Sequence, residues 1–176
     1  NFDHTTEELS SRFLDRSWVI TLEPTSIQLD AEDNIPEQAP SMISFAHLQQ
    51  AFNPLIGVKL DEALMDKWQN IQNIFASDKC ALPIRPRNLM MVYNYCLAAQ
   101  QCMQRNTPNT KYAPLDYAVA QKILPTINGT GERYKLLVEE LLKECNEQYM
   151  PLCAKHLKRI QRNGGADLGF YQFFAR

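Results

Sequence analysis

The stretch SWVITL, residues 17–22, constrains the fold more than any other feature of the sequence. Its Trp18, Val19, Ile20, Thr21 and Leu22 are β-prone, and Pro24 ends the run. A single strand cannot satisfy its own backbone N–H and C=O groups. Beyond Pro40 the sequence offers no second convincing strand, only apolar residues at helical spacing. The strand therefore calls for a sheet that the chain does not contain. The chain also opens on Asn1 without an initiator methionine. Both features lead to the expectation that it is the downstream part of a larger enzyme.

The rest of the sequence divides around that strand. A short helix is predicted over 5–15, with Thr5 or Thr6 as its cap, acids Glu7 and Glu8 in its first turn, and Leu9, Phe13 and Leu14 as its apolar stripe. Residues 24–40 are polar and acidic, with Pro24, Pro36 and Pro40, and read as a linker. SFAHLQQAF predicts a short helix capped by Ser44. KLDEALMDKWQNIQNIFA places Leu60, Leu64, Trp68, Ile71 and Phe75 on one face. PRNLMMVYNYCLAAQQCMQ is apolar on more than one face and reads as a central helix. LDYAVAQKILPTI reads as a third helix that Pro125 closes or kinks. NGTG is taken as a turn. ERYKLLVEELLKECNEQY carries Leu136, Leu137, Leu141 and Leu142 on one side, and PLCAKHLKRIQRN is a last helix ended by Gly164-Gly165. The expected architecture is mainly α: a short N-terminal α/β remnant of one helix and one strand, a linker, and a bundle of about six helices.

Composition narrows the function classes. The hydrophobic fraction of 45% supplies a packed core, and a net charge of −2 gives no overall pull toward nucleic acid or an anionic membrane. No apolar run has the roughly 20 residues needed to span a bilayer. The five cysteines, at 80, 96, 102, 145 and 153, match no common zinc spacing, and read as free thiols of a cytoplasmic protein. His4, His47 and His156 lie far apart and lack metal-ligand spacing. Asn128-Gly129-Thr130 is formally a glycosylation sequon, read here as a turn.

Three groups of residues stand out as candidates, the first being Asn1, Asp3, Asp15 and Arg16 at the front of the chain. In IRPRN, Pro86 suits a first helical position, so Arg85 and Arg87 flank a helix N-terminus. The helix dipole disfavours a cation there by about 0.3–1 kcal/mol. A nearby anion removes the conflict, because helix N-termini and arginines both bind phosphate. The plainer alternative is a surface pair touching Asp78 or solvent. The last helix carries Lys155, His156, Lys158, Arg159 and Arg162, which is either a basic face for nucleic acid or an acidic partner, or a solvated face. Absent from the sequence are a G-x-x-x-x-G-K-[ST] loop and an apolar strand ending in Asp-Glu.

Several segments together resemble a known family. The pattern N-x-D-x-T-T at Asn1, S-x-x-x-L-D-R before the strand, LDYAVAQKILP, and MPLCAKHLKRIQR followed by GFYQFF resemble the second half of a AAA+ ATPase. They are closest to the McrB-like branch of methylation-dependent restriction motors. The resemblance implies residues 1–23 as the end of a AAA+ core, 24–40 as a linker, and 41–176 as a C-terminal helical lid. It implies Asn1 as the sensor-1 residue that orients the attacking water, Arg16 as the arginine finger (Arg12 being the alternative one turn earlier), and Arg87 as the sensor-2 arginine that contacts nucleotide, with Arg85 as the other register. It implies ATP or GTP with Mg in the intact protein, an N-terminal AAA+ core, a homo-oligomeric ring, a nuclease partner and indirect action on DNA. Without a P-loop and an Asp-Glu strand, the chain alone is expected to bind no cofactor and to turn over no nucleotide. The rival expectation is a non-enzymatic helical protein-interaction module.

Overall fold

The computed structural model describes residues 10–21, 44–45, 57–78, 82–166 and 169–174. Contacts divide the chain into two compact units, Asn1–Ile20 with Lys59–Arg176, and Thr21–Val58. In the smaller unit the described residues are few; Phe45 is helical and exposed, and the rest of the helix expected over SFAHLQQAF lies outside the described residues.

The larger unit is mainly helical. It opens with α1 (Ser11–Leu14), a single turn. Helix α2 (Glu62–Ala76) starts at Asp61, whose carboxylate accepts from the N–H groups of Ala63 at 2.9 Å and Leu64 at 3.4 Å. Its buried residues are Leu64, Trp68, Ile71 and Phe75, and Leu60 just before it is also buried, as the spacing predicts. Helix α3 (Pro86–Cys102) has Pro at its first position and buries Asn88, Val92, Cys96, Leu97 and Ala99. Gln100 of α3 clips the approach to α2: it accepts from Asp61 N at 3.0 Å and donates to Lys59 O at 2.9 Å.

After the short helix α4 (Pro108–Lys111) comes α5 (Ala113–Ala118), which widens into a π turn over Val119–Ile123 and tightens into a 3-10 turn over Leu124–Thr126. Pro125 accounts for the change. It has no N–H to donate, and its ring crowds the carbonyl four residues earlier, that of Gln121. The N–H of Leu124 bonds instead to Val119 O, one residue wider than in an α-helix. The predicted single helix over 115–127 is thus three successive helical geometries.

Two predictions are corrected next. NGTG is not only a turn: β1 (Asn128–Thr130) pairs antiparallel with β2 (Phe170–Gln172), Gly129 opposite Tyr171. Gly131 (φ 90°) and Gly169 (φ 82°) bracket the open end of this ladder in a backbone region that suits glycine. By contrast, residues 17–21 form no regular element and pair with no strand among the described residues, and residue 22 lies outside those. The β-propensity of SWVITL is real, but a lone segment without a sheet has no ladder to join.

Helices α6 (Glu132–Glu144) and α7 (Pro151–Ala166) pack together, α6 also against α2, and α7 also against β2. Leu137, Val138 and Leu141 of α6 and Cys153, Ala154, Leu157 and Ile160 of α7 are all buried. Gly164-Gly165 lies within α7 and does not end it, contrary to what the sequence predicts. A Cβ at Gly164 would collide with ring carbons of Tyr171, so the glycine is a notch in which the strand's aromatic ring sits.

Candidate functional site

The first turn of α3 presents Arg85, Arg87 and Asn88 together. Arg85 stands at the cap position with extended backbone and makes no side-chain capping bond. The anion that these cations call for is Asp15, just beyond α1, and not Asp78. Asp15 Oδ2 lies 3.3 Å from Arg85 Nη1 and 3.5 Å from Arg87 Nη1. With its amide nitrogen turned toward Asp15, the buried Asn88 donates to Asp15 Oδ1 and to the Asp15 carbonyl, each at 3.3 Å. The side chain of Asp15 is 13% exposed, whereas those of Arg85 and Arg87 are 58% and 55% exposed. Beside them opens a cleft of about 220 Å³, lined by Leu14, Asp15, Phe75, Ile84, Arg85 and Thr126.

Asp15 stands where it does because the π turn holds its backbone. Lys122 is 1% exposed, and its ammonium donates to Leu14 O at 3.2 Å, Asp15 O at 2.9 Å and Ser17 O at 2.8 Å. The carbonyl of Gln121, freed by Pro125, accepts from Val19 N at 2.9 Å. The ring of Trp18 packs on Tyr95 of α3 with centroids 5.1 Å apart. Burial lowers the pKa of Lys122; the charge of Asp15 works against that shift, and the charge of Arg87 adds to it. The motif QKILP thus carries a docking function for residues 14–19 that its sequence alone does not reveal.

A second carboxylate meets a second helix start. Asp116 is buried, and accepts from Leu152 N at 2.9 Å and Cys153 N at 2.7 Å, capping α7 from a distance in sequence. The thiol of Cys153 donates to the Asp116 carbonyl at 3.2 Å. Burial raises the Asp116 pKa, and the two backbone N–H bonds and the Cys153 thiol offset only part of that rise. The segments LDYAVAQKILP and MPLCAKH, noted separately in the sequence, meet here.

The structure distributes the sequence candidates as follows. Asn1 lies outside the described residues. Arg16 is exposed, with its N–H bonded to Phe13 O at 2.9 Å, and is the chain neighbour of Asp15. Arg12 is also exposed. Arg87 lies on Asp15, and it is Arg85, not Arg87, that lines the cleft. The five basic residues of the last helix do not form one face. His156 is buried against Phe173, and Arg159 reaches inward, donating to Phe173 O at 2.9 Å and stacking on its ring. Lys155, Lys158 and Arg162 are exposed, and Lys158 pairs with Glu147. Asp15 belongs to the candidate group of Asn1, Asp3 and Arg16, though without the arginine partners found here; sequence reading missed Asn88, Asp116 and Lys122. Only the last two left a trace: charged residues inside an otherwise apolar helical run. Among the described residues no group of three or more His, Cys, Asp or Glu side chains could hold a metal ion, and no helix is long and apolar enough to cross a membrane. Cys96, Cys102, Cys145 and Cys153 are free thiols, all buried except Cys102.

Residues 36–169 match the family model described as Domain of unknown function (DUF8727). The chain belongs to this family. No curated protein and no solved structure matches it. The DUF8727 match takes in Arg85, Arg87, Asp116 and Lys122, while Asp15 and Arg16 precede it.

Proposed function

We propose that this chain supplies the end of the core and the helical lid of a McrB-like AAA+ NTPase, and that Arg87 is its phosphate-sensing arginine. The observation that carries the reading is the pair Arg85 and Arg87 at the N-terminus of α3, beside an open cleft and in contact with the residue next to Arg16. In this reading Arg16 is the finger for a neighbouring subunit in a ring, and Asn1 orients the attacking water. The cleft, at about 220 Å³, is below the roughly 300–1,000 Å³ of pockets that enclose a drug-sized ligand. It suits the phosphate end of ATP or GTP; the base, the P-loop contacts and Mg belong to a core supplied from elsewhere. Hydrolysis in the cytoplasm would drive a restriction or phage-defence reaction with a nuclease partner acting on DNA.

The test is steady-state hydrolysis by the intact protein, beside thermal melts. Arg87→Ala is expected to lower turnover at least about tenfold, because the lost contact is felt in the transition state. The melt should hardly move, because the side chain is exposed. Arg85→Ala should do less. Wild-type turnover in Arg87→Ala would sink the assignment, and loss confined to Arg85→Ala would move it by two residues.

The second reading is a non-enzymatic interaction module. It is favoured by the exposed Phe13 (53%) and Ile20 (68%) beside the docked segment 14–19. If it holds, Phe13→Ser with Ile20→Ser abolishes partner binding while Arg87→Ala leaves it untouched.

A further inference from the structure

We propose that Asp15 is a resident counter-ion that competes with a polyphosphate for the Arg85–Arg87 pair, and so sets how strongly that pair holds a phosphate chain. The proposal rests on the reading of Arg87 as a phosphate contact and adds the residue that tunes it.

The geometry is that of an occupied anion site with charge to spare. One carboxylate oxygen, Asp15 Oδ2, is shared by the Nη1 atoms of both arginines. The Lys122 ammonium is committed to three main-chain carbonyls, one of them that of Asp15 itself. Two guanidinium groups therefore meet one carboxylate, with the Lys122 ammonium nearby on the main chain of the same residue. More than half of each arginine side chain remains in solvent, while Asp15 is largely covered. The start of α3 adds the partial positive charge of a helix N-terminus, with no side-chain cap on Arg85 to neutralise it.

That arrangement selects for the class of ligand. Asp15 is held in place by Lys122 and Asn88, so its effective concentration at the arginines is far above that of any free monocarboxylate. A single acetate-like charge gains nothing by replacing it. A polyphosphate brings more than one charge and can bridge two guanidinium groups. Even when it binds the solvent-facing edges of the arginines, it meets the Asp15 carboxylate a few ångströms away, and like charges at that range weaken binding. Asp15 thus acts as a threshold: multivalent phosphate passes it and small anions do not.

The test uses inorganic tripolyphosphate on the protein, followed by calorimetry, with acetate as the monovalent control. Asp15→Asn keeps the side-chain shape and is expected to tighten tripolyphosphate about tenfold. Arg87→Ala should weaken binding in both backgrounds, and acetate should not bind. Trp18 fluorescence, sensitive to its contact with Tyr95, checks that residues 14–19 stay docked in each variant. The unmutated protein gives an independent reading: the carboxyl carbon resonance of Asp15 should move as tripolyphosphate saturates the site. Equal or weaker binding by Asp15→Asn, or a stationary Asp15 resonance at saturation, overturns the competition while a loss in Arg87→Ala still upholds the phosphate contact. Unchanged binding in Arg87→Ala, or no binding by any variant, overturns both.

Discussion

Asp116 and Asp15 both place a carboxylate at the start of a helix to which they do not belong, and they do so in opposite ways. Asp116 gives each oxygen to a backbone N–H of α7 and is sealed in the core, with no cation paired to it among the described residues. Asp15 meets α3 through side chains instead: two arginines that stay mostly in solvent, and one buried amide. In the first case the orphan donors of the helix are consumed, so the site is complete. In the second, positive charge exceeds negative and a cleft stands beside it. Asp61, which caps its own helix α2 and pairs with Arg105 at 3.2 Å, lies between the two. A carboxylate at a helix start is therefore architectural when its oxygens are used up by N–H groups, and open to chemistry when it leaves cations unsatisfied.

The contrast can be broken most directly at Asp116. Asp116→Ala is expected to cost roughly 3 kcal/mol, because two N–H groups are left without an acceptor in or near the core. Urea unfolding with an unchanged slope would measure it. A cost under about 1 kcal/mol would mean that water replaces the carboxylate, and that the site is no more closed than that of Asp15.

Lys122→Met comes next, at roughly 2 kcal/mol, since the three charge-assisted bonds it removes are partly offset by relief from burying an ammonium. Its effect should be local. Hydrogen exchange at the Val19 amide, bonded to Gln121 O, should lose protection well below the global transition. If Val19 instead exchanges together with the core, residues 14–19 belong to the cooperative unit and the open site is as rigid as the closed one.

A smaller effect separates the carboxylates by pH. Burial tends to raise the Asp61 pKa, but the Arg105 charge and the N–H groups of Ala63 and Leu64 outweigh it and hold the folded value below the usual carboxylate range. Asp61 therefore adds stability that is present above its unfolded pKa and is lost as pH falls through the folded one. Asp116, raised by burial, has the opposite sign: its contribution is present below its unfolded pKa and lost as pH rises through the folded one. Asn caps a helix about as well as Asp. Asp61→Asn should thus melt slightly below the wild type at neutral pH, because the cap is kept but the Arg105 pair is lost, and should lose less stability in acid. A larger acid loss in that variant would reverse the assignment. The smallest change is expected for Arg85→Ala and Arg87→Ala, within about 0.5 kcal/mol each, as for exposed ion pairs.

Local pattern carried most of the helical body into view. The face of Leu60, Leu64, Trp68, Ile71 and Phe75 is buried as its spacing indicates, and α3 buries residues on more than one side. On α6 the stripe is shifted by one residue: Val138 is buried, while Leu136 and Leu142 are half-buried. What periodicity could not carry was pairing across distance. NGT and FYQ are each too short to announce a strand, and they stabilise one another only as a ladder. The need of Arg85 and Arg87 for an anion was legible from the helix dipole, but its source was not, because Asp15 lies some 70 residues earlier in the sequence. Asp116 and Lys122 stood in plain sight as charges within an apolar run. Their partners are main-chain atoms, which no residue pattern names.

Lys122 also fixes an order of assembly. The carbonyls of residues 14, 15 and 17 wait on a side chain more than a hundred positions later. β1 likewise waits on β2 across the whole of α6 and α7. On the ribosome, both clasps stay open while the intervening helices form, since contacts so far apart in the chain come late. Until Lys122 emerges, the carbonyls of residues 14, 15 and 17 lack their donor, and only Tyr95 is in place to receive Trp18. During that interval the nascent chain carries a β-prone apolar segment that is free to find another edge, so its accumulation in cells should depend on how quickly residues 115–125 follow it out.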